Sequence, residues 1–400
     1  MRRLCLALLL LCVARAAAPP GDGGLFRQVD EIAQKLAEIT GWKLKRKVPA
    51  AMMNKAELDR FLTGKVNSEV KPDEIRAEEI TLRALGFVEE EFDLKRSVLD
   101  VLNEQAAAFY DTKKKRLFVM ESSAGDTTIL VHELSHALAD QYFSLDRFIK
   151  HAGKSDDGHM ARMAVMEGQA TWLMSEWRVN QTGQTLIGRP EMVELMARPS
   201  AVSSTEFPAL EKAPLYLQET LLFPYTRGLA FQHAVLEKRG NAVFAAVFTD
   251  PPQTTQQILH PEAYFEKRKA EPVELPKVTI AKGFRELTEG NLGELDHQIL
   301  LRQYKVRDWE KIAEGWRGAS YKVWENKRTK RVLLLYASTW ETENVAQRFF
   351  SVYRESVLPV KKKGYAEESS QEDTVQARSA GGQITLMRRG RTVVAIEGLP

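Results

Sequence analysis

The sequence predicts an α+β chain that is mainly helical, and three observations carry that expectation. Apolar residues recur at helical spacing from Leu25 to about Asn103. Two short strand-like runs flank a charged turn in AAAFYDTKKKRLFVM, residues 106–120. Beyond residue 271, helix, strand-turn-strand, helix and hairpin follow one another, the order of a compact α+β unit. At 400 residues, 44% hydrophobic and 28% charged, the chain is long enough for two or three domains with real cores. A formal charge of +3 gives no case for a nucleic-acid partner, and KLKRK (44–48) and KKK (361–363) read as solvated surface.

Residues 1–18 read as a secretory signal peptide. MRR is a basic start, LCLALLLLCVA (4–14) is too short to span a bilayer, and ARAAAPP offers small residues ending at Ala16 or Ala18. The chain is therefore expected in the periplasm or secreted, without a membrane anchor after cleavage. Cys5 and Cys12 lie inside this segment, so the mature chain has no thiol chemistry and no disulfide framework. Leu11 stands where a lipoprotein signal needs a small residue, which argues against lipid on Cys12. Export without disulfides fits a bacterial envelope or secreted product.

Residues 19–104 form an N-terminal, mainly helical region. GDGG (21–24) reads as a flexible lead-in, and the helix that follows stops at Gly41. Asn54 and Glu57 form a capping-box pattern at the next helix start. Residues 105–270 form the core. The strand pair 106–120 opens it, and TTILVHELSHALADQ (127–141) follows, with Thr127 or Thr128 as cap and Leu130, Leu134 and Leu138 as an apolar stripe. A buried helix spans 158–180, a surface crossing covers 198–214, and a helix interrupted at Pro224 comes next. AVFAAVFTDPPQTTQQILHPEAYF gives a helix, a Pro-Pro break and a further short helix. Residues 271–400 form the C-terminal α+β accessory domain, with KKKGYAEESSQEDT as a polar loop, His297 on a polar surface helix and its tryptophans in the core.

The chemistry lies in His132-Glu133-x-x-His136. Residues four apart stand one turn apart on one helix face, so two imidazoles can meet one zinc ion while Glu133, to the side, reaches a water as general base. A catalytic zinc needs a third protein ligand and an open position. The metzincin pattern fails because Ala139 and Tyr142 occupy its last two marked positions. His151 and His159 would be loop ligands, and Asp156 and Asp157 read as caps of the next helix. Glu167, in AVMEGQATW, is a carboxylate among apolar residues, costly to bury unless paired or bound to metal. The reading favours Glu167 as third ligand; the competing one is a salt bridge to Arg162.

VHELSHALADQYF followed by MEGQAT resembles the gluzincin division of zinc metallopeptidases, and most closely its bacterial exported members. The resemblance covers about residues 100–265, with FPYTRGLAF and ILHPEAYF similar to later segments. It implies a zincin-like core, peptide or protein substrates, one zinc on His132, His136 and Glu167, and Glu133 as catalytic base. Thirty residues separate His136 from Glu167, longer than the thermolysin-like gap, and Thr171 stands where an aspartate often orients a histidine, with Asp140 as a substitute. Tyr225 is the candidate oxyanion donor, with His233 and His260 as rivals. The resemblance also implies that an edge strand pairs with extended substrate, for which FVMESSAGD is the expected edge.

Overall fold

The computed structural model describes residues 22–123, 126–198 and 207–399. The expected signal segment, with Ala16, Ala18 and both cysteines, lies outside these residues, as do residues 199–206 of the expected crossing. The chain is α+β. Among the described residues nine helices reach ten residues or more: α1 (Asp22–Thr40), α2 (Lys55–Glu69), α3 (Pro72–Leu85), α4 (Leu94–Gln105), α5 (Thr127–Phe143), α6 (Asp156–Asn180), α7 (Leu215–Arg239), α8 (Glu294–Gln303) and α9 (Glu343–Val352). None of the described helices is long and apolar enough to cross a membrane.

Helix α1 ends at Gly41 in the left-handed region, φ 72°, as its sequence requires. It starts at Asp22, so residues 22–24 of the GDGG stretch are helical rather than a loose lead-in. The capping box holds: Asn54 Oδ1 accepts from the Glu57 N–H at 3.0 Å, and the Asn54 N–H donates to Glu57 Oε2 at 2.9 Å. At α5 the cap is Asp126 and neither threonine; its carboxylate accepts from the Thr128 N–H at 2.9 Å. Ser155 likewise caps α6, leaving Asp156 and Asp157 in the first turn.

A three-stranded sheet runs β1 (Ala50–Met53), β3 (Arg116–Met120), β2 (Ala108–Asp111). Strand β1 pairs with β3 in parallel, and β2 pairs with it antiparallel. This overturns the expected edge at FVMESSAGD: β3 is the central strand, and β1 and β2 are the edges. AAMM carries no alternation, which is why β1 was illegible in sequence.

Helix α7 runs through Pro224 without a break. Proline removes one helical hydrogen bond and ordinarily costs about 3 kcal/mol. Here Leu217, Phe223, Leu229, Phe231 and Val235 are all buried, and their packing outweighs that loss.

The C-terminal part is a seven-stranded antiparallel sheet in the order β4 (Phe284–Asn291), β5 (Trp316–Asn326), β6 (Val332–Trp340), β10 (Thr392–Leu399), β9 (Gly382–Arg389), β8 (Thr374–Ser379), β7 (Ala366–Gln371). The polar loop expected at 361–374 contains strand β7, which is exposed at every residue and so carries no apolar signal. Lys361, expected on the surface, has a buried side chain. Its Nζ donates to Glu397 Oε1 at 2.8 Å and to the Tyr353 hydroxyl at 2.7 Å. Burial pushes this amine down to about 8 against the pull of Glu397.

His297 is also buried, not on the surface. Its Nδ1 lies 2.6 Å from the Gly293 carbonyl and its Nε2 2.7 Å from the Tyr336 hydroxyl, so the neutral imidazole donates through Nδ1 and accepts at Nε2. Burial drives its pKa from 6.5 down to about 4. Between those values the unfolded chain binds a proton that the folded chain refuses. The stability from this group is full above pH 6.5 and falls by about 3 kcal/mol as pH drops towards 4. Urea unfolding at pH 7 and pH 4.5 should show that loss in the native chain and much less of it in His297→Gln; equal losses would refute the assignment.

Candidate metal centre

Helices α5 and α6 place three donors around one point. His132 Nε2 lies 3.1 Å from Glu167 Oε2, His136 Nε2 lies 3.2 Å from the same oxygen, and the two Nε2 atoms are 3.1 Å apart. Among the described residues this is the one group of three or more His, Cys, Asp or Glu whose ligand atoms converge well enough to hold a metal ion. Three donors around a tetrahedral ion with bonds of about 2.0–2.1 Å stand about 3.3–3.4 Å apart, so the triangle is close to that size.

The chemistry of the set also fits a cation. All three residues are at most 1% exposed. Burial holds His132 below its ordinary value, which favours the neutral ring. Burial alone would raise Glu167, but the charge of His136 and hydrogen bonding from both imidazoles bring it down to about 2. An ionised carboxylate therefore sits in the core. Two imidazole nitrogens face one another beside it, at a distance where N–H groups on both would repel. Glu167 Oε1 has no hydrogen-bond partner in the structure either. A divalent ion among His132 Nε2, His136 Nε2 and Glu167 Oε2 would offset the carboxylate charge and take up both facing nitrogen lone pairs.

The alternatives for the third ligand are placed elsewhere. Arg162 does not pair with Glu167; its guanidinium donates to the Phe148 carbonyl at 3.1 Å and lies over the Phe148 ring. His151 is exposed at the end of a short helix. His159 Nδ1 is 2.7 Å from the Ser155 carbonyl, and Asp157 accepts from the Thr255 N–H at 3.0 Å. The Asp156 carboxylate meets the Tyr321 hydroxyl at 3.3 Å.

Glu133 is fully buried, and its Oε2 accepts from the Tyr110 backbone N–H of β2 at 2.8 Å. The sheet edge thus fixes the carboxylate that the motif offers as base. Asp140 neither orients a histidine nor lies on the surface. It is buried and accepts from the Tyr110 hydroxyl at 2.9 Å, from Lys115 Nζ at 2.6 Å and from the Leu145 N–H at 3.0 Å. It ties the β2–β3 hairpin to α5. The usual orienting contact is missing, since His132 Nδ1 and Thr171 Oγ1 are both buried without hydrogen-bond partners in the structure.

Tyr225 stacks against His132, with ring centroids 5.9 Å apart and planes 24° apart. The two rivals are occupied elsewhere. Trp172 Nε1 donates to His233 Nδ1 at 3.3 Å, and His260 Nε2 lies 2.8 Å from Glu294 Oε1.

A pair of glycines sets the approach of the two helices that carry Glu167 and Tyr225. A Cβ on Gly168 would fall well inside van der Waals contact of the Gly228 backbone, and a Cβ on Gly228 would strike the Ala164 carbonyl. Helices α6 and α7 therefore touch backbone to backbone beside the donor triangle. Neither glycine was read as functional in sequence, although an isolated glycine inside a buried helix is itself a sign of close approach.

Residues 279–400 match a family described as a domain of unknown function (DUF8575). No curated protein and no solved structure matches the chain. The match lies in the C-terminal sheet region and includes none of His132, Glu133, His136, Glu167 or Tyr225.

Proposed function

We propose that the chain is an exported zinc metallopeptidase with a zincin-like core, acting on peptide or protein substrates. The convergence of His132 Nε2, His136 Nε2 and Glu167 Oε2 on one buried point is the observation that carries this reading. These three residues would hold a single Zn²⁺, which supplies Lewis acidity that acidifies water and polarises a carbonyl. Glu133 takes the proton of the attacking water and hands it to the leaving nitrogen. The Tyr110 N–H holds one of its oxygens, so the carboxylate keeps one orientation through both transfers. Tyr225, beside His132, is the group that donates to the developing oxyanion. The basic, apolar start of the sequence is what supports export.

Glu133→Gln is the deciding experiment. Zinc content should stay near one equivalent while hydrolysis of denatured protein substrates falls by about 10²–10⁴-fold, the usual contribution of a general base. Undiminished hydrolysis would remove Glu133 from the chemistry.

One observation favours a second reading, a zinc-binding envelope or assembly protein without turnover. Glu133, Glu167 and both histidines are at most 1% exposed, so substrate has no open route to them in this conformation. Absence of cleavage across a broad set of denatured substrates, with zinc bound, would select this reading.

A further inference from the structure

A second site lies away from the metal centre, where the N-terminal helices, the core and the C-terminal sheet region meet. It is a cavity of 60 Å³ bounded by α3, the first turns of α6 and α7, and the segment joining β4 to α8. Asp157, on its wall, stands ten residues before Glu167, roughly 15 Å along the same helix at 1.5 Å per residue.

The lining is divided in character. Leu82, Leu85, Met160, Met163, Leu292 and Leu295 give an apolar side. Glu78, Asp156, Asp157 and Asp296 give an acidic one, with His159 the sole basic residue among the lining groups. Asp296 accepts from the Gly293 N–H at 2.7 Å and the Tyr216 hydroxyl at 3.3 Å. Asp157 spends Oδ1 on the Thr255 N–H and hydroxyl, at 3.0 and 2.5 Å. Its Oδ2 is buried without a hydrogen-bond partner in the structure, and the residue is 2% exposed.

The backbone is shaped to keep these groups there. A Cβ on Gly293 would occupy the place of the Asp157 carboxylate, and one on Gly290 would collide with Asp156 and the Tyr321 hydroxyl. Gly290 and Gly293, in the EGNLG stretch of the β4–α8 junction, thus make room for acids that burial alone disfavours. Burial pushes Asp157 and Asp296 both up to about 7, against the hydrogen bonds they accept; Glu294 and Asp156 add to the rise at Asp157, and Asp157 and Asp156 add to it at Asp296. A positive charge is the missing component.

A point ion is a poor fit, because these acids do not converge as the His132, His136 and Glu167 donors do. An elongated cation with an apolar stem suits a wall that is acidic on one side and apolar on the other. At about 10–15 Å³ per water position, the volume holds about four or five small heavy atoms. We propose that this cavity binds an alkylammonium group, its ammonium against Asp157 and Asp296 and its methylenes along the leucine and methionine side. The group comes either from a free amine or from a lysine side chain of a polypeptide.

Calorimetry on the full chain with butylammonium tests this, with 1-butanol and CaCl₂ as controls. Butylammonium should bind saturably, in metal-loaded and chelated protein alike, so the outcome does not depend on the peptidase reading. Asp157→Asn should weaken it tenfold or more. Asp156→Asn, at a less buried position, should weaken it severalfold and serves if the first variant does not fold. Competition by Nα-acetyl-lysine amide assigns the group to a polypeptide side chain; lack of competition assigns it to a free amine. No saturable binding, equal binding by 1-butanol, saturable Ca²⁺ binding in place of the amine, or unchanged affinity in a folded variant would overturn the site.

Discussion

Gly168→Ala is expected to lower zinc affinity by about 100-fold and to destabilise the chain by about 1–3 kcal/mol. The new methyl has nowhere to go: the Gly228 backbone already occupies its place, and both partners belong to long buried helices. Overpacking of that kind moves backbone, at the cost quoted. Glu167 is the adjacent residue, so the displacement acts directly on a ligand; even groups that merely orient ligands cost 10–100-fold when lost. Gly228→Ala should behave alike from the other side. Gly64→Ala supplies the control. That glycine sits inside α2 with open space around its missing Cβ, and replacing it should stabilise by about 0.5–1 kcal/mol with zinc binding unchanged. Zinc titration and denaturant unfolding of the three variants decide the matter. Full zinc affinity in both Gly168→Ala and Gly228→Ala would show that the helix contact does not set the ligand geometry.

The second large effect concerns the ion itself. Chelated protein should melt well below protein given zinc at a thousandfold excess over its dissociation constant. The binding term is then about 4 kcal/mol, on the order of 5 °C in Tm for a chain of this size. The physical cause is Glu167, a carboxylate in the core whose Oε1 is buried without a hydrogen-bond partner in the structure. Glu167→Gln removes that charge and one ligand together, so most of the zinc response should vanish. Arg162→Ala should retain the response, because its guanidinium serves the Phe148 carbonyl and not Glu167. A Glu167→Gln chain that still gains the full Tm increment from zinc would exclude this carboxylate from the site.

Much of the candidate site was legible before any coordinates, and the reason is local. The spacing of His132 and His136 fixes their relation within one helix turn, without reference to the rest of the fold. Glu167 needed a different argument, the cost of burying a lone acid, and that argument reaches across sequence because desolvation depends on surroundings and not on spacing. Tyr225 came only from the need for an oxyanion donor and its place beside Pro224. The features that sequence hid are those made by contact between distant segments. The Tyr110 N–H is a backbone donor with no side-chain signature, and the meeting of Gly168 with Gly228 exists only once two helices cross. The errors have the same origin. His297 and Lys361 carry polar labels, yet each found a buried partner, Tyr336 in one case and Glu397 in the other. Pro224 and the all-polar strand β7 show local preference yielding to tertiary packing and to sheet pairing.

The pairing of Ala50–Met53 with Leu117–Met120 bears on maturation. A protease that nicked the chain between those segments would leave its upstream fragment clamped in place by main-chain bonds. Discarding that fragment altogether would bare a hydrophobic ribbon immediately ahead of the histidine helix, a surface prone to recruit a second molecule. Residues 22–105 are thus better regarded as a permanent brace than as a disposable escort.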